Sequence, residues 1–114
     1  MSDNVVTPDV GEIWSLYPPG EDWQNGLVID VKENGKIFVT AKITNSELPA
    51  NYEGVNIEIH DSFNTKVPVP FVIFLDSLKD LSTTYFDTKR GRLSKQDFDK
   101  VLDAYSKIVN HYPE

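Results

Sequence analysis

Asn34-Gly35 is the pair that most narrows what this chain can fold into. It stands between two β-prone segments, Gly26 to Val31 and Ile37 to Thr44. A two-residue turn between antiparallel strands requires φ > 0 at both central positions, and Asn-Gly meets that requirement at little steric cost. Glu33 to Lys36 is therefore predicted as a type I′ turn, with Ile37 to Thr44 as the antiparallel partner of Gly26 to Val31.

The remaining segments extend this hairpin into a sheet. Val10 to Tyr17, bounded by Gly11 and Pro18-Pro19-Gly20, reads as an opening strand. Val55, Ile57 and Ile59 alternate with Asn56, Glu58 and His60, the pattern of a half-buried strand. Phe71 to Leu75 is a continuous apolar run, predicted as the most buried strand. Asp76 to Leu81 is expected to make one helical turn. A short last strand at Tyr85, Phe86 and Thr88 is expected before a turn at Arg90-Gly91-Arg92.

The C-terminal segment changes period. Ser94, with Asp97 three residues on, occupies a capping-box position. Phe98, Val101, Leu102, Tyr105, Ile108, Val109 and Tyr112 then form one apolar stripe at helical spacing, and Pro113 stops it. A helix over Ser94 to Tyr112 follows, with Leu102 expected at its buried centre and Asp103 on the opposite face. The fold class is mainly β: five to six strands in a small twisted antiparallel sheet or SH3-like open barrel, with a C-terminal amphipathic helix laid on it. Residues 1–9 are expected to be a flexible tail and 10–112 a single domain.

Composition limits the chemistry. The chain has 114 residues and no cysteine, which excludes a disulfide framework, a thiolate nucleophile and a cysteine metal site. His60 and His111 are too far apart to suggest zinc. The apolar run Val67 to Leu75 is interrupted by Pro68 and Pro70, so no membrane span is expected. No basic stretch leads into an apolar one at the N terminus, and the expected location is cytoplasmic. Net charge is −7, unevenly spread. Residues 1–35 carry seven acids against Lys32 alone, while residues 82–114 carry six bases against five acids, with Lys89, Arg90, Arg92 and Lys95 close together. Such a chain gains little from counterion release on nucleic acid as a whole, yet the basic strip can hold one RNA segment. The alternative is an ordinary solvated surface with one basic turn.

Several residues have a functional and a structural reading. Trp23, mid-loop between polar neighbours, either stacks on a base or partner pocket or closes as a lid over the sheet. Thr44, at a strand end, is either a site residue or a cap. His60 beside Asp61 and the pair Glu21-Asp22 read chiefly as solvated surface. The acidic N-terminal third has the charge to mimic a phosphate backbone and occupy another protein's nucleic-acid site.

The order of these segments resembles the MazF/PemK family of small ribonuclease toxins. The resemblance runs through Gly11-Glu12-Ile13-Trp14, Gly26-Leu27-Val28-Ile29, Ala41-Lys42-Ile43-Thr44-Asn45, Phe71 to Asp76 and Gly91-Arg92-Leu93-Ser94, roughly Val10 to Val109. It implies a metal-independent and cofactor-free endoribonuclease acting on single-stranded RNA, a homodimer and an antitoxin partner. It also implies catalytic roles at Thr44 and at Gln24. At the latter the family's catalytic arginine is replaced, since Gln24-Asn25 stands where an Arg-Pro pair is usual. Candidate RNA contacts are Trp23 and Asn25 in the loop, Lys42 and Asn45 beside Thr44, and the arginines Arg90 and Arg92. Glutamine supplies neither charge nor a bidentate fork, so cleavage is expected to be weak or lost. The alternatives are a non-catalytic binding module on the same scaffold and the acidic mimic.

Overall fold

The hairpin forms at the predicted pair. Asn34 takes φ 58° and ψ 38° and Gly35 takes φ 87°, while the Lys36 amide donates to the Glu33 carbonyl at 3.3 Å. Both φ values are those that a type I′ turn requires, and Glu33 before them is left-handed as well, at φ 52°, with the Lys36 amide also reaching the Lys32 carbonyl at 3.2 Å. The computed structural model describes residues 7–16, 24–44, 56–59, 65–67 and 70–110. Trp23, Asn45, His60 and the Glu21-Asp22 pair lie outside them.

Among the described residues, six strands form one antiparallel sheet: β1 (Glu12–Leu16), β2 (Asn25–Lys32), β3 (Ile37–Thr44), β4 (Asn56–Ile59), β5 (Phe71–Leu81) and β6 (Phe86–Arg92). Their spatial order is β4-β5-β3-β2-β1-β6, so the sheet is open, with β4 and β6 at its edges. The α-helix α1 (Lys95–Asn110) follows. The mainly β fold with a C-terminal helix is the one expected. No described helix is long and apolar enough to cross a membrane.

Strand alternation divides the apolar residues into two clusters. Ile13, Leu27, Ala41, Ile43, Phe71, Ile73 and Leu75 face α1 and join Val101 and Leu93 in the larger core. Trp14, Leu16, Val28, Phe38, Leu81 and Phe86 form the second, on the other face. There the Phe86 ring meets Trp14 and Phe38 edge-on, at centroid distances of 5.9 and 5.4 Å, a favoured aromatic arrangement.

Three sequence expectations are corrected. Asp76 to Leu81 is strand, not a helical turn. Leu75, Leu78 and Leu81 have a helix-like spacing, but β3 is long enough to pair with β5 as far as Phe38↔Leu81. Ladder bonds to β3 satisfy more backbone than one isolated turn would. The period is broken by a bulge: Ala41 pairs with Leu78 and the adjacent Lys42 with Phe74. Arg90-Gly91-Arg92 is not a turn either. It continues β6, with Arg90 as the extra residue between Ile13↔Gly91 and Trp14↔Lys89, and Gly91 absorbs the irregularity at φ 137°. The third correction concerns α1. Ser94 caps it as expected, its hydroxyl accepting from the Asp97 amide at 3.2 Å. Its buried stripe, however, is Phe98, Val101, Ala104, Tyr105 and Ile108, and Leu102 is 38% exposed. The helix is rolled so that Val101, not Leu102, sits at the centre.

Candidate functional site

The register of the sheet places one row of residues across all six strands: Lys89, Trp14, Gly26, Lys42, Phe74 and Asn56, in order from β6 to β4. Directly paired residues share a face, so this row lies on the face opposite α1. Gly26 is required there. A Cβ would lie 2.5 Å from Leu16 Cδ1 and 2.6 Å from Thr40 Cγ2, and both of those side chains are buried. The next row on this face contains Thr44, Val72 and Glu58. Gln24 adjoins it, because Gln24 and Thr44 flank the Asn25↔Ile43 pair on the same side.

This arrangement brings three of the sequence-predicted residues together. Gln24 is exposed, and its carbonyl accepts the Leu16 amide at 2.9 Å, which fixes the backbone leading into β2. Lys42 and Thr44 are half-buried and stand two residues apart on β3, a separation of about 7 Å along a strand. Asn25 is not with them. Alternation turns it to the opposite face, beside Ile43 of the main core.

Arg90 and Arg92 are elsewhere. They lie on β6, separated from β3 by β1 and β2, a distance of about 14 Å at the usual strand spacing. Arg90 Nε is buried without a hydrogen-bond partner, while its carbonyl receives the Lys66 amide at 2.6 Å and the Thr65 hydroxyl at 3.2 Å. Arg92 and Lys89 converge on Glu12, whose side chain is only 8% exposed, with Nη2 at 3.1 Å and Nζ at 2.9 Å from its Oε2. The Trp14 indole at 3.0 Å and the Asp9 amide at 2.9 Å donate to Oε1. Arg92 also reaches Asp9 at 3.5 Å and the Val10 carbonyl at 3.0 Å. Burial pushes the Glu12 carboxyl up. The hydrogen bonds from Lys89, Trp14 and Asp9, with the Lys89 charge, outweigh burial and hold it below its ordinary value. The basic strip seen in the sequence is thus largely a structural clamp: Lys95 is paired too, with Asp99 at 3.1 Å.

The same clamp breaks up the acidic N-terminal third. Glu12 is internal and Asp9 is paired, whereas Asp30 and Glu33 are exposed at the far end of the β2–β3 hairpin. Among the described residues these acids do not form one face. Nor does any group of three His, Asp or Glu side chains converge there to hold a metal ion. Lys42 contrasts with the clamp, having no carboxylate partner among the described residues.

The buried position of Glu12 and the place of Phe74 beside Lys42 escaped the sequence reading. A signal existed for Glu12: Glu-x-Trp on a strand puts carboxylate and indole on one face. None existed for Phe74, which lies in an unbroken apolar run whose faces only the pairing with β3 distinguishes.

No protein-family model matches the sequence, and no curated protein matches it. Among solved structures the fold is similar to one titled an endoribonuclease from mycobacterial species, with a TM-score of 0.67 and 10% sequence identity over 97% of this chain and 100% of that one. At that identity the likeness is one of fold.

Proposed function

We propose that this protein is a MazF/PemK-like toxin-antitoxin component, an endoribonuclease-type scaffold that engages single-stranded RNA through the β2–β3 face, with cleavage weak or lost. The observation that carries the reading is the convergence of Gln24, Lys42 and Thr44 on that face, at positions where the family resemblance implies chemistry. The fold likeness to an endoribonuclease supports it.

The reaction implied is attack of a ribose 2′-hydroxyl on its own phosphate. It needs a fixed donor or cation where negative charge grows on the phosphoryl oxygens. Gln24 offers one neutral amide in place of a guanidinium's charge and paired donors. Loss of one such donor costs about 10²–10³ in rate in a well-studied case. Arg90 and Arg92 are three strands from Thr44, and Arg92 is engaged by Glu12 and Asp9, so neither offers a replacement at this site. The neutral amide also favours a second reading, a non-catalytic RNA-binding module on the same scaffold. Of the seven acids that prompted the acidic-mimic reading, the four described ones do not form one face: Glu12 and Asp9 are engaged by Arg92, and Asp30 and Glu33 are exposed at the β2–β3 hairpin.

The test is cleavage of single-stranded RNA by purified protein, with and without chelator. Wild type is expected to cleave slowly or not at all. Gln24→Arg is expected to raise the rate at least about tenfold, and adding Thr44→Ala to abolish the gain. Strong wild-type cleavage that survives Thr44→Ala would place the chemistry elsewhere. A folded but inactive Gln24→Arg protein would favour the binding module. Homodimerisation, an antitoxin partner and a cytoplasmic location belong to the same proposal. A monomer by sedimentation at high micromolar concentration would count against the dimer and the toxin assignment.

A further inference from the structure

Phe74 and Lys42 are directly paired neighbours on β5 and β3, an aromatic ring beside a cation on the sheet face opposite α1. Phe74 is half-buried although Ile73 and Leu75 on either side of it are fully inside. Lys42 is likewise half-buried. Lys32, Lys89, Arg92, Lys95, Lys100 and Lys107 each lie within 4.0 Å of a carboxylate. Lys42 does not, among the described residues. A cation partly withdrawn from water and not neutralised by any described carboxylate is suited to an external anion. The row ends on the Asn56 amide, opposite Phe74 on β4.

We infer that Lys42, Phe74 and Asn56 form a nucleotide subsite, with Lys42 holding a phosphate, Phe74 stacking a base and Asn56 bonding to that base's edge. Adjacent strands are about 4.8 Å apart, so the three positions span about 10 Å, room for one nucleotide and its phosphate. The strand therefore runs from the Gln24–Thr44 row towards β4 and away from the β6 clamp. Stacking on one ring tolerates any base, so this subsite adds affinity with little sequence preference. Glu58, in the next row on β4, bounds the path, since a phosphate placed there meets like charge.

This inference rests on the RNA reading above, and the experiment separates their failures. The probe is a fluorescently labelled 2′-O-methyl oligouridine of about ten nucleotides, which lacks the attacking hydroxyl and cannot be cleaved. Affinity is measured by anisotropy at several salt concentrations. Lys42→Gln is expected to weaken binding and lower the salt slope by about 0.7, the value of one phosphate contact on a single strand. Phe74→Leu is expected to weaken binding about five- to tenfold with the slope unchanged, as loss of one stacking contact does. Phe74→Tyr should restore affinity, and Lys36→Ala at the exposed hairpin tip should leave both quantities unaltered. Melting curves of each variant exclude unfolding as the cause. No binding by wild type overturns the RNA reading itself. Binding by wild type that Lys42→Gln and Phe74→Leu leave unchanged overturns the subsite alone, as does equal loss from Phe74→Leu and Phe74→Tyr.

Discussion

Removing the Glu12 carboxylate tests whether the β1–β6 clamp is structural. Two basic side chains, an indole N–H and a backbone amide converge on its two oxygens at 2.9–3.1 Å. Lys89 and Arg92 are 49% and 46% exposed, so after Glu12→Ala both ammonium and guanidinium regain water and little is lost through them. The Trp14 indole, in a residue only 8% exposed, cannot do the same. A buried donor left unsatisfied costs about 1–3 kcal/mol, and charge-assisted bonds contribute somewhat more than neutral ones. Glu12→Ala is therefore expected to lose about 2–4 kcal/mol, and Glu12→Gln less, because its amide oxygen still accepts from Trp14. The pH dependence separates charge from shape. The folded-state pKa of Glu12 is depressed below its ordinary 4.5. Its stabilisation is therefore fully present above about 4.5 and is lost as pH falls from there through the lower folded value. Urea melts at pH 7 and at stepped lower pH provide the assay. Glu12→Gln is expected to be less stable than wild type at pH 7 and to converge on it in acid. A constant gap across that range, or no gap at pH 7, would refute the reasoning.

Three further outcomes follow from packing. Val101→Ala, at a fully buried position, is expected to cost about 1.5–3 kcal/mol, whereas Leu102→Ala should cost under about 1 kcal/mol. Denaturant melts giving the reverse order would mean that α1 is rolled the other way. Gly26→Ala places a methyl 2.5–2.6 Å from Leu16 and Thr40 and is expected to destabilise by about 1–3 kcal/mol, the same melts being the check. Thr40 is held by its own hydroxyl bond to the Phe38 carbonyl at 3.0 Å, so relief must come mainly from Leu16. Repacking at Leu16→Ala should then recover part of the Gly26→Ala loss in a double-mutant cycle. Additive losses would show that the two side chains do not compete for that space.

Wherever a local rule acts alone, the sequence already contained the answer. Asn34-Gly35 dictates its hairpin because few other residue pairs reach two consecutive positive φ values cheaply. Ser94 marks the helix start through a bond three residues long. The alternation at Ile57 and Ile59 and the apolar run at Phe71 declare strands whatever their partners. Tertiary structure decided everything that depends on who pairs with whom. Residues 76–81 are strand because β3 offers a ladder that their own helix-like spacing does not reveal. Leu102 is exposed because the roll of a helix is set by the surface beneath it, and the stripe alone is wide enough to allow either centre. The candidate site divides the same way. Thr44 and Gln24 were legible as residue types at motif positions, but the register that turns Asn25 away from Lys42 and Thr44 was not, because it depends on the irregularity between Val28 and Asp30 in the β2–β3 pairing. Only the order β3-β2-β1-β6 removes Arg90 and Arg92 from that site and gives Arg92 to Glu12, eighty residues away in sequence. Charge acts through space, and a linear sequence does not specify distances across a sheet.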